Sequence, residues 1–276
     1  MPENVSQNYL TRVSDQMDAI EPVDWDALLA RQSRPTPFMR HAYLAALQTS
    51  GSAVPPTGWT LKLFSLWRGH TLAAACPLYL KNHSRGEYVF DWAWAEAYER
   101  HGLAYYPKAV IASPFTPVPG SRLLAEDAGA RQALLEQVLN WCRHQQLPSL
   151  HVLFPDDADL AACTQAGLMQ REQVQFHWHN PGWRDFDDFL SSLSQDKRKK
   201  IRQERRKVHE AGVRFRAIEG TNMTPQDWAL VQHCYVQTYL EHGNPPYLQP
   251  GFFEAMQAFM PADWLVFVAE MDGEPV

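Results

Sequence analysis

PFMRHAYLAAL (Pro37 to Leu47), followed by LKLFSLWRGHTL (Leu61 to Leu72), reads as a helix and then a two-stranded hairpin turning at Arg68-Gly69. Near the other end of the chain the pattern returns as PYLQPGFFEAM (Pro246 to Met256) and LVFVAEMDGEPV (Leu265 to Val276). Each copy is preceded by an Asp-Trp pair opening an apolar helical run, Asp24-Trp25 in the first and Asp227-Trp228 in the second. Three matches in one order point to a tandem repeat. After Gly69 the first copy continues to a Pro181-Gly182 break. The second ends just after the Asp272-Gly273 turn, a strong hairpin signal, so the second copy is expected to be truncated. Two domains follow, 1–180 and 181–276, the latter carrying a basic helix over 194–211.

Working outward, TLAAACPLYL (Thr71 to Leu80) is almost continuously apolar and reads as a strand inside a sheet, with Pro77 marking a bulge or an end. YVFDWAWAEAY (Tyr88 to Tyr98) alternates strictly, which predicts a strand with Tyr88, Phe90, Trp92, Trp94 and Tyr98 on one face. A strand AVIAS, a Pro-rich loop PFTPVPGSR and a helix over 128–146 come next. That helix carries an apolar stripe of Leu134, Leu135, Val138, Leu139, Trp141 and Cys142. A short strand LHVLF, a helix near 157–166 and a strand over 168–179 complete the unit. The mixed order makes the fold class α/β, with an α+β mixed sheet.

The chain is long enough for a substantial core, with 276 residues and 45% hydrophobic content. No secretory signal or membrane-spanning run is visible, so a cytoplasmic protein without a transmembrane segment is expected. Cys76, Cys142, Cys163 and Cys234 lack metal-ligand spacing and read as buried free thiols. The net charge of −6 hides one basic run, KRKKIRQERRK (Lys197 to Lys207), which holds eight of the 25 Lys and Arg. So dense a charge suits a polyanionic ligand: a diphosphate, RNA or an anionic membrane surface touched peripherally. AEAYERHGLAYYPK (Ala95 to Lys108) is too polar for a simple connection. Within it, Glu99 and His101 are candidates for the base that an amine needs to lose its proton. His177 and His179 share one strand face, a pair that suits a metal, yet no third ligand is near and packing is the preferred reading; no metal is expected. No Gly-x-Ser-x-Gly elbow, Walker loop or dinucleotide fingerprint supports a lipase, NTPase or Rossmann enzyme.

FDWAWAEAYERHGLAYYPKAV, SPFTPVPGSRLL, FHWHN, KRKKIRQERRKV and HGNPPYL, spread through nearly the whole chain, resemble the Gram-negative predicted N-acyltransferases related to the Fem peptidoglycan aminoacyltransferases, a peptidoglycan biosynthesis and recognition family. The resemblance implies tandem GNAT-like acyltransferase domains and N-acyl or aminoacyl transfer to the amine of a phosphate-bearing acceptor, a cell-wall precursor. The donor is then acyl-CoA or aminoacyl-tRNA, making tRNA a partner. A donor pyrophosphate would rest on the loop Val118 to Leu123 through Gly120, Ser121 and Arg122, although Pro117 and Pro119 remove two amide donors there. Lys199, Arg202, Arg205 and Arg206 would hold acceptor phosphates, with Asn244 and Tyr247 of HGNPPYL also binding substrate. The rival reading is a recognition module that binds precursor or RNA through the basic helix and catalyses nothing.

Overall fold

Residues 9–276 are described by a computed structural model of the chain. β1 (Leu10–Ser14) leads to α1 (Pro22–Ala30), α2 (His41–Thr49) and the expected hairpin, β2 (Trp59–Arg68) and β3 (Thr71–Lys81). α3 (Trp92–Arg100), β4 (Lys108–Ile111), β5 (Leu124–Ala125), α4 (Ala128–His144), β6 (Leu150–Val152) and α5 (Asp157–Gln165) follow. Next come α6 (Phe186–Ser191), the basic α7 (Gln195–Glu210) and β7 (Arg214–Glu219). The chain closes with α8 (Pro225–Glu241), α9 (Pro250–Phe259), β8 (Leu265–Met271) and β9 (Glu274–Pro275). No helix among the described residues is long and apolar enough to cross a membrane.

The chain divides into two packing units. In the larger, which runs to Gln170 and includes Thr224–Pro261, a mixed sheet has the order β1-β2-β3-β4-β6, with β5 also on β3. All its pairings are antiparallel except β4 with β6. β2 and β3 are central and buried on both faces, which is why their sequences are apolar without alternation. Pro77 is neither a bulge nor an end. It sits mid-strand, between the residues of β3 that pair with β5 and those that pair with β4, where a missing N–H does least harm. α4 packs on β2 and β3 through Leu134, Leu135, Val138 and Cys142, as its stripe predicted, with Asp127 capping its first turn. α8 and α9 belong to this unit. Tyr43 of α2 meets Phe252 of α9 edge-on at 5.5 Å, and the Gln249 N–H donates to Ser52 Oγ at 2.9 Å.

The smaller unit, Arg171–Met223 with Ala262–Val276, holds α6, α7 and the antiparallel sheet β7-β8-β9. Asp272 and Gly273 both take positive φ, 54° and 86°, and the chain returns from the turn as the two-residue β9. The order helix, helix, 3-10 turn, hairpin therefore recurs over residues 22–81 and 225–275.

Two expected strands are absent. Residues 92–100 are helical, because the alternate positions are Ala93, Ala95 and Ala97, strong helix formers that carry no strand preference of their own. Glu96, Glu99 and Arg100 favour the helix further. Residues 168–179 form no regular element: Val174, Phe176 and Trp178 alternate as a strand would, but remain exposed with no paired neighbour. Cys76, Cys142 and Cys163 are buried as expected, whereas Cys234 is exposed, since its position on α8 faces away from the core.

Candidate functional site

The loop from Asn82 to Asp91 and the first residue of β4 enclose a polar cluster in the larger unit. Lys81 and Lys108 stand opposite each other in the β3–β4 register and both are fully buried. Lys108 Nζ donates to Ser84 Oγ and Glu87 Oε2, each at 2.8 Å, and to Asp91 Oδ2. Three acceptors saturate an ammonium. Burial works against the charge on Asp91, but hydrogen bonds from Lys108, Tyr105 and Ser84 outweigh it and hold its carboxyl below the usual range. Lys81 lies 3.6 Å from the centroid of the Trp59 ring and donates to the Arg85 carbonyl at 3.2 Å. Burial lowers Lys81 to about 7 against the pull of Glu87, and Lys108 adds to the depression.

α3, which begins directly after Asp91, borders a cleft of about 600 Å³. Trp92, Glu96 and Glu99, on one face of α3, form one wall, and Leu103 to Tyr106 form the opposite one. The Tyr105 hydroxyl donates to Asp91 at 2.7 Å and the Tyr106 hydroxyl bonds Ser84 at 2.8 Å. Of the two base candidates, Glu99 therefore lines the cleft. His101 caps the end of α3 and turns Nδ1 to the Ala97 carbonyl at 2.7 Å.

Gly120, Ser121 and Arg122 sit in a different, closed environment. Gly120 N–H donates to the Phe154 carbonyl at 3.0 Å and Ser121 N–H to the Arg34 carbonyl at 3.2 Å. The amides of Arg122 and Leu123 both donate to Asp159 Oδ2, and the Ser121 hydroxyl donates to Asp156. The Arg122 side chain is fully buried, held by the carbonyls of Leu153 and Val118. Asp159, the hub, is pushed up to about 6 by burial, against the donors from Arg122, Leu123 and Arg131. The loop spends its amides internally, an arrangement unlike an open phosphate cradle.

α7 belongs to the smaller unit and no residue of it is buried. Arg205 lies over the Phe186 ring at 4.1 Å, Arg202 meets Asp187 at 3.3 Å, and Arg206 meets Glu210 at 3.6 Å. Lys199 is exposed. Asn244 and Tyr247 are in the larger unit, on the turn between α8 and α9. Tyr247 stacks on Phe115 at 4.9 Å, and Asn244 Nδ2 donates to the His242 carbonyl at 3.0 Å. His177 and His179 stack 6.1 Å apart, and no group of three potential ligands that could hold a metal exists among the described residues.

Sequence reasoning missed Lys81, Glu87 and Asp91. The available signal was a lysine at the end of each of two otherwise apolar strands, Lys81 in TLAAACPLYLK and Lys108 in KAVI. No curated protein matches the chain significantly in sequence. Among solved structures, a crystal structure of FemX aligns with a TM-score of 0.47 and 12% identity, over 92% of this chain and 57% of that one. The model of the FemAB-like family, described as peptidoglycan biosynthesis/recognition, matches residues 16–276. The chain belongs to the FemAB-like family of peptidoglycan biosynthesis and recognition proteins.

Proposed function

We propose that the protein is an aminoacyltransferase of peptidoglycan-precursor synthesis, carrying an aminoacyl group from a charged tRNA to an amine of a phosphate-bearing precursor in the cytoplasm. Family membership across residues 16–276 carries this reading. Glu99 takes the proton of the acceptor amine, from a carboxylate that faces an open cleft. The amine attacks the aminoacyl ester carbon and the tRNA hydroxyl leaves with a proton. Lys199, Arg202, Arg205 and Arg206 supply α7's cations to the precursor's phosphates.

A second reading, precursor recognition without transfer, is favoured by one observation: the amides of residues 120–123 are all engaged internally. The two readings separate in a radiolabel assay with the precursor and either aminoacyl-tRNA or acyl-CoA. Label passing from aminoacyl-tRNA to the precursor is expected. Transfer from acyl-CoA alone would replace the donor. Precursor binding with neither donor consumed would favour recognition.

A further inference from the structure

In the smaller unit, residues 174–178 present apolar side chains to solvent: Val174 is 83% exposed, Phe176 98% and Trp178 67%. The segment is extended enough for alternate side chains to share a side, since the rings of His177 and His179 stack at 6.1 Å with 14° between their planes. Val174, Phe176 and Trp178 therefore share the other side. Exposed apolar surface concentrated in this way marks contact with a protein or a membrane.

A run of ring contacts joins this segment to the basic helix. Trp178 stacks on Trp183 at 5.8 Å, Trp183 meets Phe189 at 5.1 Å, and Phe189 meets Phe186 at 5.6 Å. Arg205 of α7 closes the run by covering the Phe186 ring at 4.1 Å. α7 carries eight lysines and arginines against three acids, Asp196, Glu204 and Glu210, and none of its residues is buried. Apolar side chains and a dense cationic helix are thus contiguous within one unit.

That combination separates the classes of partner. A soluble polyanion answers the cations and leaves Val174 and Phe176 in water. Single-stranded RNA stacks its bases on free ring faces, but Trp178, Trp183 and Phe189 pack on one another, Phe186 is covered by Arg205, and Val174 has no ring. An anionic bilayer answers both features: its phosphates meet the cations, and the apolar boundary beneath them takes Val, Phe and Trp side chains. We propose that residues 174–178 and α7 dock the protein on an anionic membrane surface, with Val174, Phe176 and Trp178 in the headgroup layer and the cations of α7 on lipid phosphates. This goes beyond the transferase reading and does not depend on it.

The test is vesicle flotation, with phosphatidylcholine vesicles and with vesicles in which about a quarter of the lipid is phosphatidylglycerol. The protein is expected to float with the anionic vesicles, to bind the neutral ones at least tenfold more weakly, and to lose the difference in high salt. Val174→Asp with Phe176→Asp should weaken anionic binding about tenfold or more, as should Lys197→Gln, Lys199→Gln and Lys207→Gln together. All five side chains are exposed, so circular dichroism should be unchanged in both variants. Equal binding to the two kinds of vesicle, or binding indifferent to the two aspartates, would overturn the proposal. A single-stranded oligoribonucleotide bound by a protein that floats with neither vesicle would overturn it in favour of RNA.

Discussion

At the scale of single residues, the structure makes its sharpest statements about Lys81 and Lys108. Both are fully buried, yet only Lys108 has carboxylates on its ammonium. Lys81 falls from 10.5 to about 7, so between those pH values the unfolded chain binds the proton and the folded chain does not. Stability therefore rises as pH rises through 7, by up to ~1.4 kcal/mol per pH unit. Urea unfolding at pH 7 and pH 9 should differ by about 1–2 kcal/mol from this group, a difference that Lys81→Met removes. No loss of the pH dependence in Lys81→Met would contradict the assignment. Lys108→Met leaves Glu87 and Asp91 buried without their cation and should cost about 3–5 kcal/mol. A loss below about 1 kcal/mol would mean that the carboxylates take up protons without strain. These residues were hard to read beforehand: a lone lysine at a strand end is ordinarily exposed, and its partners lie in a loop whose path no periodicity reveals.

At the scale of elements, reading succeeded where one physical signal dominated. The β2–β3 hairpin, the α4 stripe and the basic α7 rest on continuous apolarity, a 3.6-residue period and charge density, and each is found within a few residues of its expected bounds. α3 failed because aromatic-Ala alternation satisfies a strand pattern while the alanines themselves favour a helix. That error hid the cleft, since only a helix brings Trp92, Glu96 and Glu99 to one side. α7 has no buried residue and little apolar surface beyond Ile201 and Val208, and the ion pairs that hold Arg202 and Arg206 are exposed, so an anion can compete for its cations. Replacing Arg202 and Arg205 together with alanine should weaken binding of a diphosphate-bearing ligand about tenfold or more, with the fold retained. Raising salt should shrink the difference. Unchanged affinity would make α7 a solvated face.

At the scale of the molecule, the repeated order of helix, helix and hairpin and the packing of the chain follow different divisions. α8 and α9 carry the second copy of the pattern, yet they pack in the larger unit. Sequence periodicity reports which elements form and in what order; it does not report which core an amphipathic helix joins, because an apolar stripe fits more than one partner. Family membership, by contrast, was legible from segments spread along the chain, and the match over residues 16–276 agrees with them. The proposed reaction moves an aminoacyl group onto an amine of a cell-wall precursor. Mass spectrometry of a precursor bearing one free amine, incubated with the protein and a charged tRNA, tests it most directly. A precursor heavier by one aminoacyl residue is expected, with the modification on that amine and the yield reduced roughly a hundredfold or more in Glu99→Gln. An unmodified precursor recovered from a protein that demonstrably binds it would contradict the claim.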